Sequence, residues 1–308
     1  MSIGNVLPTP VVDLGDFKGN RLWMKREDLI PFSFGGNKAR KAQLFFRDID
    51  FGDYDCVVTY GSSSSNHCRI VANECCRRKM DCFIVCPEEA SEPTFNRQMM
   101  ELFEAEITTV PVPDVSVTIE KKLDELKRIG RHPYFIEGGG HGNIGTEAYV
   151  QCYKEIKEQE KNLGIWFDYI FFASGTGTTQ AGLVCGQLIN GDDRQIIGIS
   201  IARKNPRGRN VVIDSIRKYM GDRVKDEAIQ SATTFIDKYT SGYGEKDFRV
   251  TETVDTALKT YGIPFDATYT GKAFMGMTEY TNGISNKNIL FIHTGGTPLF
   301  FDTLRSRK

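Results

Sequence analysis

The chain has 308 residues, long enough for one large domain or two modest ones around a substantial core. Its 39 Lys and Arg against 40 Asp and Glu give a formal net charge of −1, which excludes the general attraction that draws basic proteins to nucleic acid or anionic membrane. With 40% hydrophobic and 26% charged residues, no apolar run near the ~20 residues of a membrane span, and no basic or apolar signal region over Met1 to Pro10, a cytoplasmic enzyme acting on a small molecule is expected.

In chain order, Trp23-Met24-Lys25-Arg26-Glu27-Asp28-Leu29 leads to Gly35-Gly36-Asn37-Lys38-Ala39-Arg40-Lys41. The glycines allow a tight backbone approach, and the following Ala-Arg-Lys-Ala-Gln-Leu-Phe-Phe reads as a helix. Lys38 then lies on its first turn, where the helix dipole and partial desolvation disfavour the charged amine and keep it nucleophilic. A lone lysine is ordinarily a solvated surface group, so the case for Lys38 rests on its neighbours.

From Cys56 onward, short apolar runs alternate with helical patterns. Strands are expected over Cys56–Tyr60, Cys82–Cys86, Ile107–Val112 and Tyr134–Ile136, and helices over Asn66–Met80, Phe95–Ala105, Val115–Ile129 and Gly145–Gln159. A second series places strands over Tyr169–Ala173, Gln195–Ile201 and Asn288–Ile292. Its helices are expected over Gln180–Ile189, Val211–Met220, Thr251–Tyr261 and Gly271–Tyr280. The alternation predicts βαβ units around parallel sheets, and the charged run Lys154 to Asn162 reads as a crossing between the two series. Six of the eight cysteines fall between Cys56 and Cys86 without metal-ligand spacing to a histidine, so they read as small core residues rather than a zinc site or disulfide framework. His67, His132 and His141 read as loop or capping residues, and no metal is expected.

Ser174-Gly175-Thr176-Gly177-Thr178-Thr179 lies between a strand and a helix, where free N–H groups, a partial positive charge and threonine hydroxyls suit a phosphate. A structural turn is the bland alternative. A dinucleotide loop would carry a third glycine where Gln180 stands and an acid at the end of the next strand, but that strand ends Ile199-Ser200-Ile201-Ala202-Arg203-Lys204. A nucleotide-triphosphate loop would carry Gly-Lys-Ser/Thr. The phosphate of a smaller cofactor remains. Gly61-Ser62-Ser63-Ser64-Ser65-Asn66-His67-Cys68-Arg69 also opens a helix after a strand, a place that suits a carboxylate, although a serine-rich helix cap has the same composition.

Lys-Arg-Glu-Asp-Leu followed by Gly-Gly-Asn-Lys-Ala-Arg-Lys resembles the Schiff-base lysine segment of the pyridoxal-phosphate enzymes related to D-cysteine desulfhydrase and 1-aminocyclopropane-1-carboxylate deaminase. The phosphate loop, Ser65-Asn66-His67-Cys68-Arg69, Ser241-Gly242-Tyr243-Gly244, Ala267-Thr268-Tyr269-Thr270-Gly271 and Ile292-His293-Thr294-Gly295-Gly296 extend the resemblance along most of the chain. It implies fold type II, tryptophan synthase β-like: an α/β protein of two domains, each an open twisted, mostly parallel sheet flanked by helices. A large domain of residues 1–50 plus 161–308 would hold pyridoxal 5'-phosphate, a smaller domain of 51–160 would be inserted, and the site would lie in the cleft between them. The expected assembly is a homodimer.

The resemblance further implies that Lys38 binds the cofactor covalently, with Asn37 and Asn66 beside it. It gives Ser174, Gly175, Thr176, Gly177, Thr178 and Thr179 its phosphate, and Thr270 its pyridine nitrogen. Lys38, Ser65, Tyr269 and Tyr243 become the catalytic set, with Tyr269 on the substrate or its leaving group and no catalytic role for His293. Ser64 departs from the Gln that relatives commonly carry, which bears on substrate identity. The expected reaction is α,β-elimination from a small β-substituted amino acid, D-cysteine-like, to a 2-oxo acid, ammonia and the leaving group. Cyclopropane ring opening and β-replacement are the alternatives, with a non-catalytic cofactor carrier behind them. A neutral Thr270 donating to the pyridine nitrogen would favour elimination over ring opening.

Overall fold

A computed structural model describes residues 7–88, 94–240, 242 and 247–305. It opens on a hairpin, β1 (Val11–Phe17) and β2 (Asn20–Arg26), joined at Lys18 and Gly19. Their φ values of +52° and +78° supply the left-handed pair that a two-residue hairpin turn favours. Helix α1 (Asn37–Phe51) follows, and then β3 (Cys56–Tyr60), α2 (Asn66–Arg78), β4 (Asp81–Pro87), α3 (Phe95–Leu102), β5 (Glu106–Val110), α4 (Val115–Arg128), β6 (Pro133–Ile136) and α5 (Asn143–Leu163). The remainder runs β7 (Tyr169–Ser174), α6 (Thr178–Asn190), β8 (Gln195–Ser200), α7 (Arg207–Met220), α8 (Asp226–Ala232), β9 (Thr234–Ile236), α9 (Phe248–Tyr261), α10 (Thr270–Tyr280), β10 (Asn288–His293) and α11 (Thr297–Arg305).

The strands form a six-stranded sheet ordered β1-β2-β10-β7-β8-β9 and a four-stranded sheet ordered β5-β4-β3-β6. The hairpin pair is antiparallel, and every other pairing is parallel. Parallel strands covered by helices are buried on both faces, hence the near-continuous apolar runs Val57-Val58, Ile170-Phe171-Phe172 and Ile289-Leu290-Phe291-Ile292, all at 0% exposure. The larger sheet draws on both ends of the chain and the smaller on residues 56–136. No described helix is long and apolar enough to cross a membrane.

The run Lys154 to Asn162, read as a crossing, is the second half of α5. Tyr149, Tyr153, Ile156 and Glu160 recur at helical spacing and are all buried, so the charge pattern follows the helix period. Glu160 is held at 2.7 and 2.8 Å by the two terminal nitrogens of buried Arg194.

Where α1, β2 and α5 meet, charged side chains are buried together. Glu27, at 0% exposure, accepts from Arg40 Nε at 2.5 Å and Nη2 at 2.6 Å, from Tyr149 at 3.0 Å and from Thr9 at 2.7 Å. Arg40 also reaches Glu155, which pairs with buried Lys25. Burial alone raises the Glu27 pKa, but the charge and hydrogen bonds of Arg40, with Lys25 behind, outweigh it and bring the carboxyl from its ordinary 4.5 down to about 2. A carboxyl depressed in the folded state contributes stability that is present above pH 4.5 and lost as pH falls toward 2. Thermal midpoints followed by circular dichroism should therefore decline in that acid window. Glu27→Gln should reduce this decline and lower stability at neutral pH by ~3–5 kcal/mol in urea titrations, because Arg40 is left buried without its main partner.

Candidate active site

The loop before α1 is shaped by backbone contact. Gly36, with φ +96°, leaves room for the last glycine loop: a Cβ there would lie 2.6 Å from Thr294 O, and one on Gly295 would lie 2.6 Å from Gly36 Cα. Asn37 fastens the junction, its N–H donating to Thr294 O at 3.0 Å and its amide to Thr179 Oγ1 at 3.1 Å. Lys38 follows on the first turn of α1, and its Nζ donates to Gly139 O at 2.9 Å. A Cβ on Gly139 would lie 2.7 Å from Thr176 Cγ2 and 3.3 Å from Lys38 Nζ, so the Gly138-Gly139-Gly140 turn fits against the amine only as glycine. Desolvation lowers the Lys38 pKa from 10.5 to about 8, with only distant Cys68 opposing it.

Helix α6 presents its N-terminus to the same space. Its first bond of helical spacing runs from Ala181 N–H to Gly177 O, which leaves the N–H groups of Thr178, Thr179 and Gln180 directed out of the helix start. Gly177 has φ +100°, and a Cβ on it would lie 3.2 Å from Val211 Cγ1. Gly175 and Thr176 line the cavity, whereas Thr178 and Thr179 point to α1. Ser174 turns away, donating to Gln180 Oε1 at 2.8 Å in the buried interface between strand and helix. Sequence reasoning passed over Lys41, one turn beyond Lys38, which is 1% exposed and donates to Thr178 Oγ1 at 2.6 Å. Desolvation and the neighbouring Lys38 depress its pKa well below the usual lysine range. A buried amine with N–H groups to donate, beside an open helix N-terminus, is a further donor for a phosphate.

Helix α2 offers a second N-terminus. Ser65 caps it, its Oγ accepting from Cys68 N–H at 3.1 Å, with the Cys68 thiol also within hydrogen-bonding reach of the hydroxyl. Asn66 lies on the cavity wall with Oδ1 held by Arg69 Nη1 at 2.8 Å and Asn96 Nδ2 at 2.9 Å, which fixes the orientation of its amide. Read as a loop or capping residue, His67 stands in the first turn of α2 on the cavity wall, its tautomer set by its neighbours. Thr59 Oγ1 donates to Ile136 O at 2.7 Å and so accepts from His67 Nε2 at 3.0 Å, leaving Nδ1 as an acceptor. Burial, with Lys38 and Lys41 nearby, drives the His67 pKa well below its ordinary value, and the ring stays neutral.

Tyr269 reaches the cavity from the start of α10. Thr270, expected opposite a pyridine nitrogen, does not line it. Its hydroxyl donates to Asp266 Oδ2 at 2.7 Å and accepts from Asp266 N–H at 2.9 Å. The cause is local, since the Asp266 carboxylate also accepts from the N–H groups of Thr268 and Tyr269 and draws the helix start inward. Thr294, in the last glycine loop, lines the cavity instead. Tyr243 lies outside the described residues.

The cavity bounded by these groups has a volume of about 510 Å³, within the range of small-molecule and cofactor sites. Among the described residues no Asp or Glu lines it. A group with an aldehyde for Lys38 and a phosphate for α6 and Lys41 fits both its dimensions and its donors.

The sequence matches the family described as pyridoxal-phosphate dependent enzyme over residues 4–295, and the chain belongs to that family. It is 28% identical to D-cysteine desulfhydrase of Serratia proteamaculans (strain 568), covering 97% of this chain and 94% of that protein. Against D-cysteine desulfhydrase of Yersinia enterocolitica serotype O:8 / biotype 1B the identity is 29%, with the same 97% and 94% covered. A crystal structure of an ACC deaminase homologue superposes with a TM-score of 0.84 at 29% identity, covering 98% of this chain and 95% of that one.

With its pKa near 8, the Lys38 amine should titrate apart from solvated lysines. In cofactor-free protein, acylation of Lys38 followed by peptide mass spectrometry should rise with a midpoint near pH 8. A midpoint close to 10.5 would show that the amine remains hydrated.

Proposed function

We propose that this pyridoxal-phosphate dependent enzyme catalyses α,β-elimination on a small β-substituted amino acid of the D-cysteine type, releasing a 2-oxo acid, ammonia and the leaving group. The observation that carries the reading is Lys38: an amine near pKa 8, held by Gly139 O in a cavity that two helix N-termini border and that has no acid among its described lining residues. In this reading the cofactor site lies in the cleft between a large domain of residues 1–50 and 161–308 and an inserted domain of 51–160. The protein works as a cytoplasmic homodimer.

Bound there, pyridoxal phosphate supplies an electron sink that acidifies the α-hydrogen of an amino acid. The residues of the chain do the rest. Lys38 is the covalent anchor and its Nζ the base for the α-proton, since a pKa near 8 leaves part of the amine unprotonated at neutral pH. Gly175, Thr176, Gly177, the N–H groups of Thr178 and Thr179, and Lys41 hold the phosphate. Asn37 keeps Lys38 in register with that loop, and Asn66, its amide oriented by Arg69 and Asn96, would stand on the cavity wall beside the bound group. Ser65 and the start of α2 receive the substrate carboxylate, with the Ser65 hydroxyl placed to pass a proton. Tyr269 faces the leaving group and protonates it as the bond from Cβ breaks, the departing atom taking the electron pair.

Thr270 does not decide between elimination and ring opening, because its hydrogen is engaged by Asp266. Elimination is favoured by the D-cysteine desulfhydrase relatives.

Purified protein should be yellow, and borohydride reduction followed by peptide mapping should place the label on Lys38; a label elsewhere would sink the assignment. Release of 2-oxo acid should be seen with D-cysteine or 3-chloroalanine and should exceed that from 1-aminocyclopropane-1-carboxylate, the reverse ranking favouring ring opening. Gly177→Val forces a β-branched side chain onto a φ of +100°, so cofactor should be lost on dialysis at concentrations that leave the parent loaded. Unchanged retention would remove this loop from the phosphate site.

A further inference from the structure

Once the amine, the phosphate loop and the carboxylate site have been assigned, one cation on the cavity wall has no task. Arg203 follows β8, at the place where a dinucleotide-binding fold would carry its acid, and it lines the cavity in the company of Tyr60. Its backbone is pinned, because Ser200 Oγ donates to Arg203 O at 2.6 Å and accepts from Ala202 N–H at 3.2 Å. Its side chain is oriented by a single carbonyl: Nη1 donates to Gly175 O at 2.9 Å. Among the described residues no carboxylate pairs with Arg203, and Nε and Nη2 have no partner. Burial and the positive charge of Arg207 lower its pKa, with Tyr60 opposing them.

The alternative task, a second hold on the cofactor phosphate, is opposed by peptide geometry. Gly175 C=O and Thr176 N–H belong to one planar trans peptide and point in opposite directions. A guanidinium on the carbonyl side of that peptide therefore lies away from the N–H side that cradles a phosphate. Its distance from the chemistry is nevertheless short. Gly175 adjoins Thr176, which abuts Gly139, whose carbonyl holds Lys38.

We propose that Arg203 determines specificity for the substrate side chain, selecting amino acids whose β-substituent carries an anionic oxygen group: a sulfonate, a phosphate ester or a carboxylate. This rests on the elimination reading for the identity of the reaction, while the recognition itself rests on the arginine. The fork formed by its unused Nε and Nη2 donors matches two oxygens of such a group. Elimination of a sulfonate illustrates the balance: the α-proton leaves Cα, the Cβ–S bond breaks with its electron pair on sulfur, and with one water the products are 2-oxopropanoate, ammonium and hydrogensulfite.

The test compares the holoenzyme with Arg203→Gln and Arg203→Lys. Turnover of 3-sulfoalanine, O-phosphoserine and S-carboxymethylcysteine, each as both enantiomers, is set against that of cysteine and 3-chloroalanine, and the three anionic arms separate sulfonate, phosphate and carboxylate. For the preferred anionic substrate, kcat/KM should exceed that of the neutral pair. That ratio should fall about a hundredfold in Arg203→Gln, mainly through KM, with partial recovery in Arg203→Lys. Calorimetric binding of 3-sulfopropanoate, 3-phosphonopropanoate and succinate, against butanoate, decides the point without turnover. At least one should bind the parent more than tenfold tighter than butanoate and lose that margin in Arg203→Gln. If no amino acid yields a 2-oxo acid, the elimination reading fails while these binding data still judge the arginine. Equal losses for anionic and neutral ligands, no anionic preference in the parent, or a comparable fall in cofactor affinity in Arg203→Gln would overturn the proposal.

Discussion

The buried pair of Glu27 and Arg40 determines where the reactive amine can be. Arg40 lies two residues beyond Lys38 on α1, and Glu27 follows β2 directly, so the pair ties the helix bearing the amine to the sheet bearing the last glycine loop. Tyr149 and Glu155 carry the same network into α5, and α5 packs on α6. Three elements that contribute to the cavity, or stand directly behind it, thus share one set of ionic hydrogen bonds. Such a network contributes little net stability over an apolar packing of the same volume, but it admits one relative placement of its members. For an amine that must meet a ligand at bonding distance, placement is the quantity that matters.

The cavity itself is governed by the opposite arrangement, basic groups without acids. Two helix N-termini and the amines of Lys38 and Lys41 face or flank the same volume, and no acid stands among the described residues lining it. Each amine suffers from desolvation, which depresses both. A nearby carboxylate would relieve that cost by pairing, and in doing so would restore the ordinary lysine pKa and occupy the anion sites. Keeping the acids at Glu27 and Glu155, behind α1, stabilises the frame and leaves the cavity to its ligands.

Much of this was legible in the sequence where local chemistry and fold agree. The alternating series from Cys56 to Ile136 gave its strands and helices to within a few residues, because parallel strands buried on both faces write their apolar runs directly into the chain. The N-terminal hairpin was passed over, as Val11 to Phe17 is only half-buried and alternates weakly, although Lys18-Gly19 carried a turn signal. Among the candidate site residues, that Lys38 and the turn at Gly175-Thr176 would border one cavity was readable, because glycine spacing and a helix start coincide. Thr270 was not: its neighbour Asp266, four residues earlier, claims the hydroxyl, and a capping carboxylate is invisible to a motif that begins after it. Lys41 and His67 escaped for another reason. Their significance lies in contacts to Thr178 and Thr59, which only folding brings near.

Arg69 shows how far the separation of charge extends. It is wholly buried, and its partners are neutral oxygens: Asn66 Oδ1, Asn96 Oδ1 at 2.7 Å and Ser33 O at 2.8 Å. Burial lowers its pKa to about 9, which still leaves it charged at neutral pH. A carboxylate in place of Asn96 would satisfy the guanidinium more strongly but would cancel its field at the wall. With amide oxygens as acceptors, the positive charge persists toward Tyr269 and adds to the dipole of α2. The same bonds hold Asn66 Oδ1 inward, so its amide nitrogen is the end left for the cavity. One buried cation thereby orients a neutral side chain and makes its surroundings receptive to an anion, and both effects rest on its meeting no acid among the described residues.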